Sequence, residues 1–391
     1  VLAAGTVGFA VLLMFLQLGF LFALFDSSVA LIDALDTDLV ITGKGRYTMA
    51  VSEAFPLRRI EQARAVAGVA SAAAVYVEAY QAIVSPRLPT EVDPPAAKPG
   101  DKQRPVRAPI RLVAVDPDTA PFIEPELNEA LASLHTPLTA LADRRSRTKN
   151  YDRRVRTKTY RPLGTGATVD VSGRSLTIVG EFDLGTDFTS DGTLIVSSET
   201  LDTLLPRRYP NLDGLGNVDV GIVRLEPGVD AEVVRRRVSA ALPVDVNVLT
   251  KAGFIAQEKG FWQANTPIGF VFILGLALGF IVGIIVCYQI LATEISDAMP
   301  ELATLKAMGY SPRFFLALIL EECLYLATLG FVPGVVAAAG GYAALAFVTG
   351  LPMRLTPERM ALVYLLTLGM CVVSGLLAIR RLNSAAPADL F

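Results

Sequence analysis

The chain has 391 residues, 52% of them hydrophobic, and a mean hydropathy of +0.47, yet 19% are charged. The charge must therefore be segregated, as in a membrane protein with a large water-exposed part. A net charge of −3, with no basic stripe interleaved with aromatics, gives no reason to expect nucleic acid as a partner.

Residues 1–25 carry no charge and are long enough for transmembrane helix 1. The run is too long for a signal-peptide core and no small-x-small cleavage site follows it, so it reads as a retained anchor. Residues 26–40 continue the pattern, with Phe25, Val29, Ile32, Leu35 and Leu39 at three- and four-residue steps and Asp26, Asp33 and Asp36 off that face. They predict a stalk helix.

Residues 41–249 contain no run able to cross a bilayer and read as an α+β domain. Compact β-rich stretches fall at 69–84, 110–115, 167–179, 193–197, 218–225 and 244–249, and helical periodicity at 56–66 and 230–242. Asp230, just after Pro227-Gly228, is placed to cap the second of these helices. The order of strands and helices suggests a sheet domain with two subdomains. Two inserts interrupt it. Residues 85–109 hold seven prolines and predict an extended loop, and residues 143–161 carry nine Lys/Arg against two Asp. The basic run reads as a solvated hairpin or loop, with a contact to anions or lipid headgroups as the sharper alternative.

The composition also narrows the chemistry. All three cysteines, Cys287, Cys323 and Cys371, lie in apolar segments, so no disulfides staple the large domain. The only histidine, His135, excludes paired-histidine metal sites and leaves no catalytic constellation. No G-x-x-x-x-G-K-[ST] motif is present, so the chain does not hydrolyse ATP by that mechanism.

Residues 250–264 predict a second stalk helix, with Phe254, Ile255, Phe261 and Trp262 beside Lys251, Glu258 and Lys259. Trp262 suits a membrane–water boundary. Residues 265–293 are transmembrane helix 2, where Gly275, Gly279 and Gly283 form a four-residue ladder fit for helix packing or a dimer surface. Residues 294–311 are a short polar loop containing a helix. Ser296 or Asp297 can cap its start, Pro300 fits its first turn, and Gly309 can close it in the left-handed region. Leu302, Leu305 and Met308 make an apolar face, with Glu301 and Lys306 as polar anchors. Such a rod suits either a membrane surface or a soluble partner.

Residues 312–348 are transmembrane helix 3, 349–358 an outer loop, 359–380 transmembrane helix 4 and 381–391 a tail. Glu321 and Glu322 are costly in hydrocarbon, so the first turns of helix 3 are expected to project into the cytosol, and Pro333-Gly334 to break or kink the helix. Lys306, Arg313, Arg380 and Arg381 favour the side of the 294–311 loop and the tail as cytoplasmic. The fold class is thus an α-helical membrane protein with four transmembrane helices and a large α+β extracytoplasmic, periplasmic domain between the first and second spans.

The stretch "ELATLKAMGYSP", with "GFIVGIIVCYQILATEISD" before it and "RRLNSAAPADLF" at the end, resembles the FtsX/MacB superfamily of ABC-transporter permeases, and within it the DevC-type branch. Glu301, Ala303, Leu305, Lys306, Ala307, Met308 and Gly309 satisfy the pattern E-[LIY]-A-x-L-[KR]-A-[ML]-G. The resemblance implies a MacB-like periplasmic domain and a coupling helix that docks on a separate ABC ATPase subunit through Glu301, Leu302, Leu305, Lys306, Met308, Gly309 and Tyr310. It implies a non-enzymatic permease with no cofactor of its own, ATP and Mg being bound by the partner. It further implies a homodimer in the inner membrane that works with a periplasmic adaptor and an outer-membrane TolC-like channel. The other reading is an FtsX-like scaffold that activates a cell-wall hydrolase.

Overall fold

The computed structural model describes residues 2–51, 53–79, 83–86, 108–146, 148–152, 157–161, 163–206, 208, 215–265 and 267–384. Most of the proline-rich insert, the tip of the basic insert and the end of the tail lie outside these residues. The chain divides into two compact units, one of residues 1–23, 266–349 and 353–391, the other of residues 24–265 and 350–352.

The second unit is built on strands β1 (Leu39–Gly43), β2 (Phe55–Pro56), β3 (Val69–Glu78), β4 (Ile83–Pro86), β5 (Ala108–Pro109), β6 (Arg111–Val115), β7 (Thr139–Asp143), β8 (Thr148–Asp152), β9 (Thr157–Arg161), β10 (Thr168–Val171), β11 (Arg174–Phe182), β12 (Thr193–Ser197), β13 (Asn217–Val218), β14 (Val220–Leu225) and β15 (Val246–Thr250). Eleven of these form one mixed sheet in the order β15-β1-β14-β3-β6-β12-β7-β11-β10-β4-β5, with β12 parallel to β6 and β11 parallel to β7. The expected pair of subdomains is therefore replaced by one continuous sheet. β8 and β9 pair with each other as a separate antiparallel hairpin, which is the form of the basic insert.

Both faces of the sheet are covered. Leu39, Ile41, Leu112, Ala114, Ala140 and Ala142 belong to one apolar cluster, and the intervening Val40, Val113, Val115 and Leu141 to another. On the first face pack α2 (Arg58–Arg64), α4 (Ser198–Leu204) and α5 (Ala231–Ala241), through Ile60, Leu201, Val234 and Val238. On the second lie the end of α1 (Leu2–Ala34), α3 (Pro125–Ala130) with the 3-10 turn after it, and α6 (Lys251–Asn265). A strand covered on both faces reads as a continuous apolar run rather than an alternation. Leu39 and Val40, expected to end the stalk helix, instead begin β1, whose five residues are all buried. Beyond the helix, Thr37 ties the chain to β14: its hydroxyl lies 2.6 Å from the Leu39 carbonyl and 3.1 Å from that of Val223, and accepts from the Val223 N–H at 3.0 Å.

A charged knot stands at one end of the sheet. Arg46 Nη2 donates to Asp219 Oδ1 at 2.6 Å, Arg208 Nη2 reaches Asp219 Oδ2 at 3.0 Å, and the Val77 N–H donates to the same oxygen at 3.0 Å. All three side chains are buried. Buried charge persists only when it is paired and hydrogen-bonded in this way.

The first unit consists of the start of α1 with α7 (Pro267–Asp297), α8 (Met299–Ala307), α9 (Pro312–Thr349) and α10 (Pro357–Ser384). Four helices are long and apolar enough to cross a membrane: Gly5–Ala34, Gly269–Asp297, Pro312–Thr349 and Pro357–Ile379. Their shared core includes Val11, Phe15, Leu291, Ile319, Cys323 and Cys371. α9, with 38 residues, is about 57 Å long, well beyond the ~30 Å of bilayer hydrocarbon. It runs through Pro333 without a break. A proline is tolerated inside a membrane helix when neighbouring helices pack against the interruption, and here α1 does so. A Cβ on Gly330 would lie 2.5 Å from a Val7 methyl, one on Gly334 2.5 Å from a Val11 methyl, and one on Gly8 3.1 Å from the Gly330 carbonyl.

Candidate functional site

The short helix α8 is defined by the residues at its ends. Pro300, in its first turn, has no N–H to continue the α7 ladder and its ring excludes the carbonyl four residues back. The chain therefore turns at Ala298, whose N–H still donates to the Glu294 carbonyl at 3.0 Å while its own carbonyl accepts from Leu302 at 3.0 Å. The break is one residue long. Ser296 and Asp297, expected as caps, instead form the last residues of α7, and no side chain caps α8.

At the other end Gly309 sits at φ +93°, its N–H donating to the Lys306 carbonyl at 3.1 Å and the Tyr310 N–H to Leu305 at 3.3 Å. These reversed bonds satisfy two of the carbonyls a helix end leaves open. α9 starts three residues later, with the Phe314 N–H donating to the Ser311 carbonyl at 2.9 Å.

The expected apolar face of α8 is divided. Leu302 is buried and Leu305 half-buried against the chain's own helix core, so these two anchor α8 to its own bundle. Lys306 is half-buried, while Glu301, Thr304, Ala307, Met308, Gly309 and Tyr310 are exposed. Met308 is 64% exposed, and Tyr310, 46% exposed, stacks at a tilt on Phe314 with ring centroids 4.7 Å apart. The outward surface is thus a carboxylate at the helix start and a methionine–aromatic patch at its end. Beneath α8 lies a cavity of about 90 Å³ lined by Glu294 of α7, Leu302 of α8 and Phe315, Leu318 and Glu322 of α9, among others. Glu322, marked out in the sequence as expensive, thereby faces Glu294 across this cavity. Spacing along the chain does not signal that pairing.

Of the proposed stalk residues, Phe254 is fully buried with Val29 and Ile32 in one cluster, whereas Phe25 and Phe261 are half-buried and lie outside it. Phe261 meets the Trp262 ring edge-on. α6 is tied to the last turn of α1 by Lys251, whose ammonium donates to the carbonyls of Asp33 (2.9 Å) and Leu35 (2.7 Å). A cation is favoured at a helix C-terminus, although burial lowers the Lys251 pKa. Glu258, 1% exposed, accepts from the Thr48 hydroxyl at 2.5 Å, the Met49 N–H at 2.8 Å and the Trp262 indole at 2.9 Å. Burial raises its pKa, and those hydrogen bonds oppose the rise.

The glycine ladder of α7 also divides. A Cβ on Gly275 would meet the end of the Gln17 side chain, one on Gly283 would overlap the Met370 sulfur, and one on Gly279 meets nothing within 4 Å. Two of the three rungs therefore receive neighbours from within the chain. His135 is exposed and lies 3.4 Å from an Asp118 carboxylate oxygen. Among the described residues no group of three or more His, Cys, Asp or Glu could hold a metal.

Four membrane-length helices joined in one chain to an α+β sheet unit make this an integral membrane protein of mixed class. More particularly, residues 262–387, spanning α7 to α10, match the family described as FtsX-like permease C-terminal. No curated protein matches the chain. Among solved structures it is similar to the periplasmic region of MacB from Actinobacillus actinomycetemcomitans, with TM-score 0.33 and 9% identity over 60% of this chain and 96% of that one. It is also similar to the extracellular domain of the noncanonic ABC-type transporter YknZ from Gram-positive bacteria, with TM-score 0.31 and 11% identity over 55% of this chain and 98% of that one.

Proposed function

We propose that this chain is the permease subunit of an ABC-type exporter of the FtsX/MacB superfamily, of its DevC-type branch, acting by mechanical transmission. The supporting observation is the FtsX-like match over residues 262–387, inside which α8 forms a helix fixed at both ends with Glu301, Met308 and Tyr310 turned outward. In this reading α8 is the coupling helix. A separate ATPase binds ATP and Mg, and its closure displaces α8. Leu302 and Leu305 pass the displacement to the bundle in which they are buried, while the exposed residues make the contact with the ATPase. A coupling free energy between two sites requires differential contacts in two states, and a short rod with a sharp turn at each end moves as a unit.

The membrane is the inner membrane, with the sheet unit in the periplasm, and the permease is a homodimer because each chain carries one coupling helix. A periplasmic adaptor and a TolC-like outer-membrane channel complete the path for a lipid-like or other substrate. Affinity purification of the chain from its native membrane, with identification of everything that copurifies, tests the proposal. An ABC ATPase and an adaptor are expected; a cell-wall hydrolase in place of the adaptor, or no ATPase at all, overturns it.

A further inference from the structure

All three cysteines of the chain are buried and free, and α7, α9 and α10 bring them to one place in the bundle. Cys287 Sγ lies 3.8 Å from Cys371 Sγ, while the Cys323 thiol donates to the Cys371 carbonyl at 3.1 Å. α7 and α10 are in close contact around the pair, with Gly283 against Met370 one turn before Cys287 and the Ser374 hydroxyl donating to the Ile284 carbonyl at 2.8 Å. A disulfide needs them about 2 Å apart, so the bond draws together two sulfurs that already lie 3.8 Å from each other.

We propose that Cys287 and Cys371 are an oxidative modification site whose disulfide clamps α7 to α10. The oxidant is a hydroperoxide. One thiol sulfur attacks the peroxide oxygen, giving a sulfenic acid and one water or alcohol; the second thiol displaces the hydroxyl as water. Two S–H bonds and one O–O bond break, one S–S bond forms, and the peroxide takes up the two electrons. α7 leads directly into α8, so the clamp holds the helix that carries the coupling element. That consequence rests on the function proposed above.

The test treats native membranes containing the full chain and its copurifying ATPase with hydrogen peroxide, then maps peptides by mass. A linked Cys287–Cys371 peptide, lighter by two hydrogens, is expected. With it, coupled ATP hydrolysis falls at least ~5-fold and returns with dithiothreitol. C323S behaves as wild type, whereas C287A and C371S lose both the link and the inhibition. Absence of that link, or a link with hydrolysis unchanged, overturns the inference. If the reduced protein stimulates no ATPase, the coupling reading fails separately, and hydrogen exchange of α7 in the oxidised full chain decides the clamp. Slower exchange supports it and unchanged exchange overturns it.

Discussion

Gly309→Ala isolates what the end of α8 contributes. Gly309 adopts φ +93°, and a Cβ added there meets nothing within 4 Å, so the substitution carries no steric collision. What remains is the backbone cost of a non-glycine residue in the left-handed region, about 1–2 kcal/mol. A difference of that size changes a two-state population by roughly 5–30-fold, enough to loosen the closing bonds from Gly309 and Tyr310 to Lys306 and Leu305. α8 has nine residues and no side-chain cap at its start, so its shape rests on the Gly309 turn and on the anchoring of Leu302 and Leu305. Asparagine enters the left-handed region more readily than alanine, and Gly309→Asn should recover much of what alanine loses. The assay is ATP hydrolysis by the copurified complex as a function of permease variant, with a thermal melt in detergent to show the bundle intact. Alanine at full coupling, or asparagine no better than alanine, would refute the claim that the left-handed turn sets the geometry of α8.

Asp219→Ala leaves Arg46 and Arg208 buried without the carboxylate between them and should destabilise the chain by about 3–5 kcal/mol, read by denaturant titration of the full-length protein. Gly283→Val should impair assembly of the bundle because its side chain overlaps Met370, while Gly279→Ala should be neutral; comparative melting in one detergent checks both. For Glu258 the folded pKa is raised by burial, so between the ordinary glutamate value and the raised one the folded state holds a proton that the unfolded state releases. Stability is then full below that window and falls as pH rises through it. Asp143, also raised by burial, acts in the same direction. Glu258→Gln should flatten its share of the pH profile.

The membrane helices were legible because length and absence of charge suffice to mark them, and Thr193–Ser197 was found as a strand with its observed ends. β7 was not, since its Thr-Ala-Leu-Ala-Asp residues carry little β signal, and β1 was not, since Leu39 continues the apolar spacing of the helix before it. The position of α8 was visible in Pro300 and Gly309, but its inward face was not. Periodicity shows that Leu302 and Leu305 share a side, and only the packing shows that their own bundle occupies it. The meeting of Glu294 with Glu322 and of Cys287 with Cys371 depends on helix rotation about long axes, which sequence spacing within one helix does not fix.

Where α1 meets α9, Gly330 and Gly334 receive the Val7 and Val11 methyls directly on the main chain, Gly8 lies against the Gly330 carbonyl, and the Tyr342 hydroxyl donates to the Phe15 carbonyl at 2.5 Å. Such a joint has few rotamers with which to absorb slippage. Sliding α9 by a single residue, about 1.5 Å along its axis, would drive Val7 and Val11 into it, so the two rods must travel in step or separate altogether.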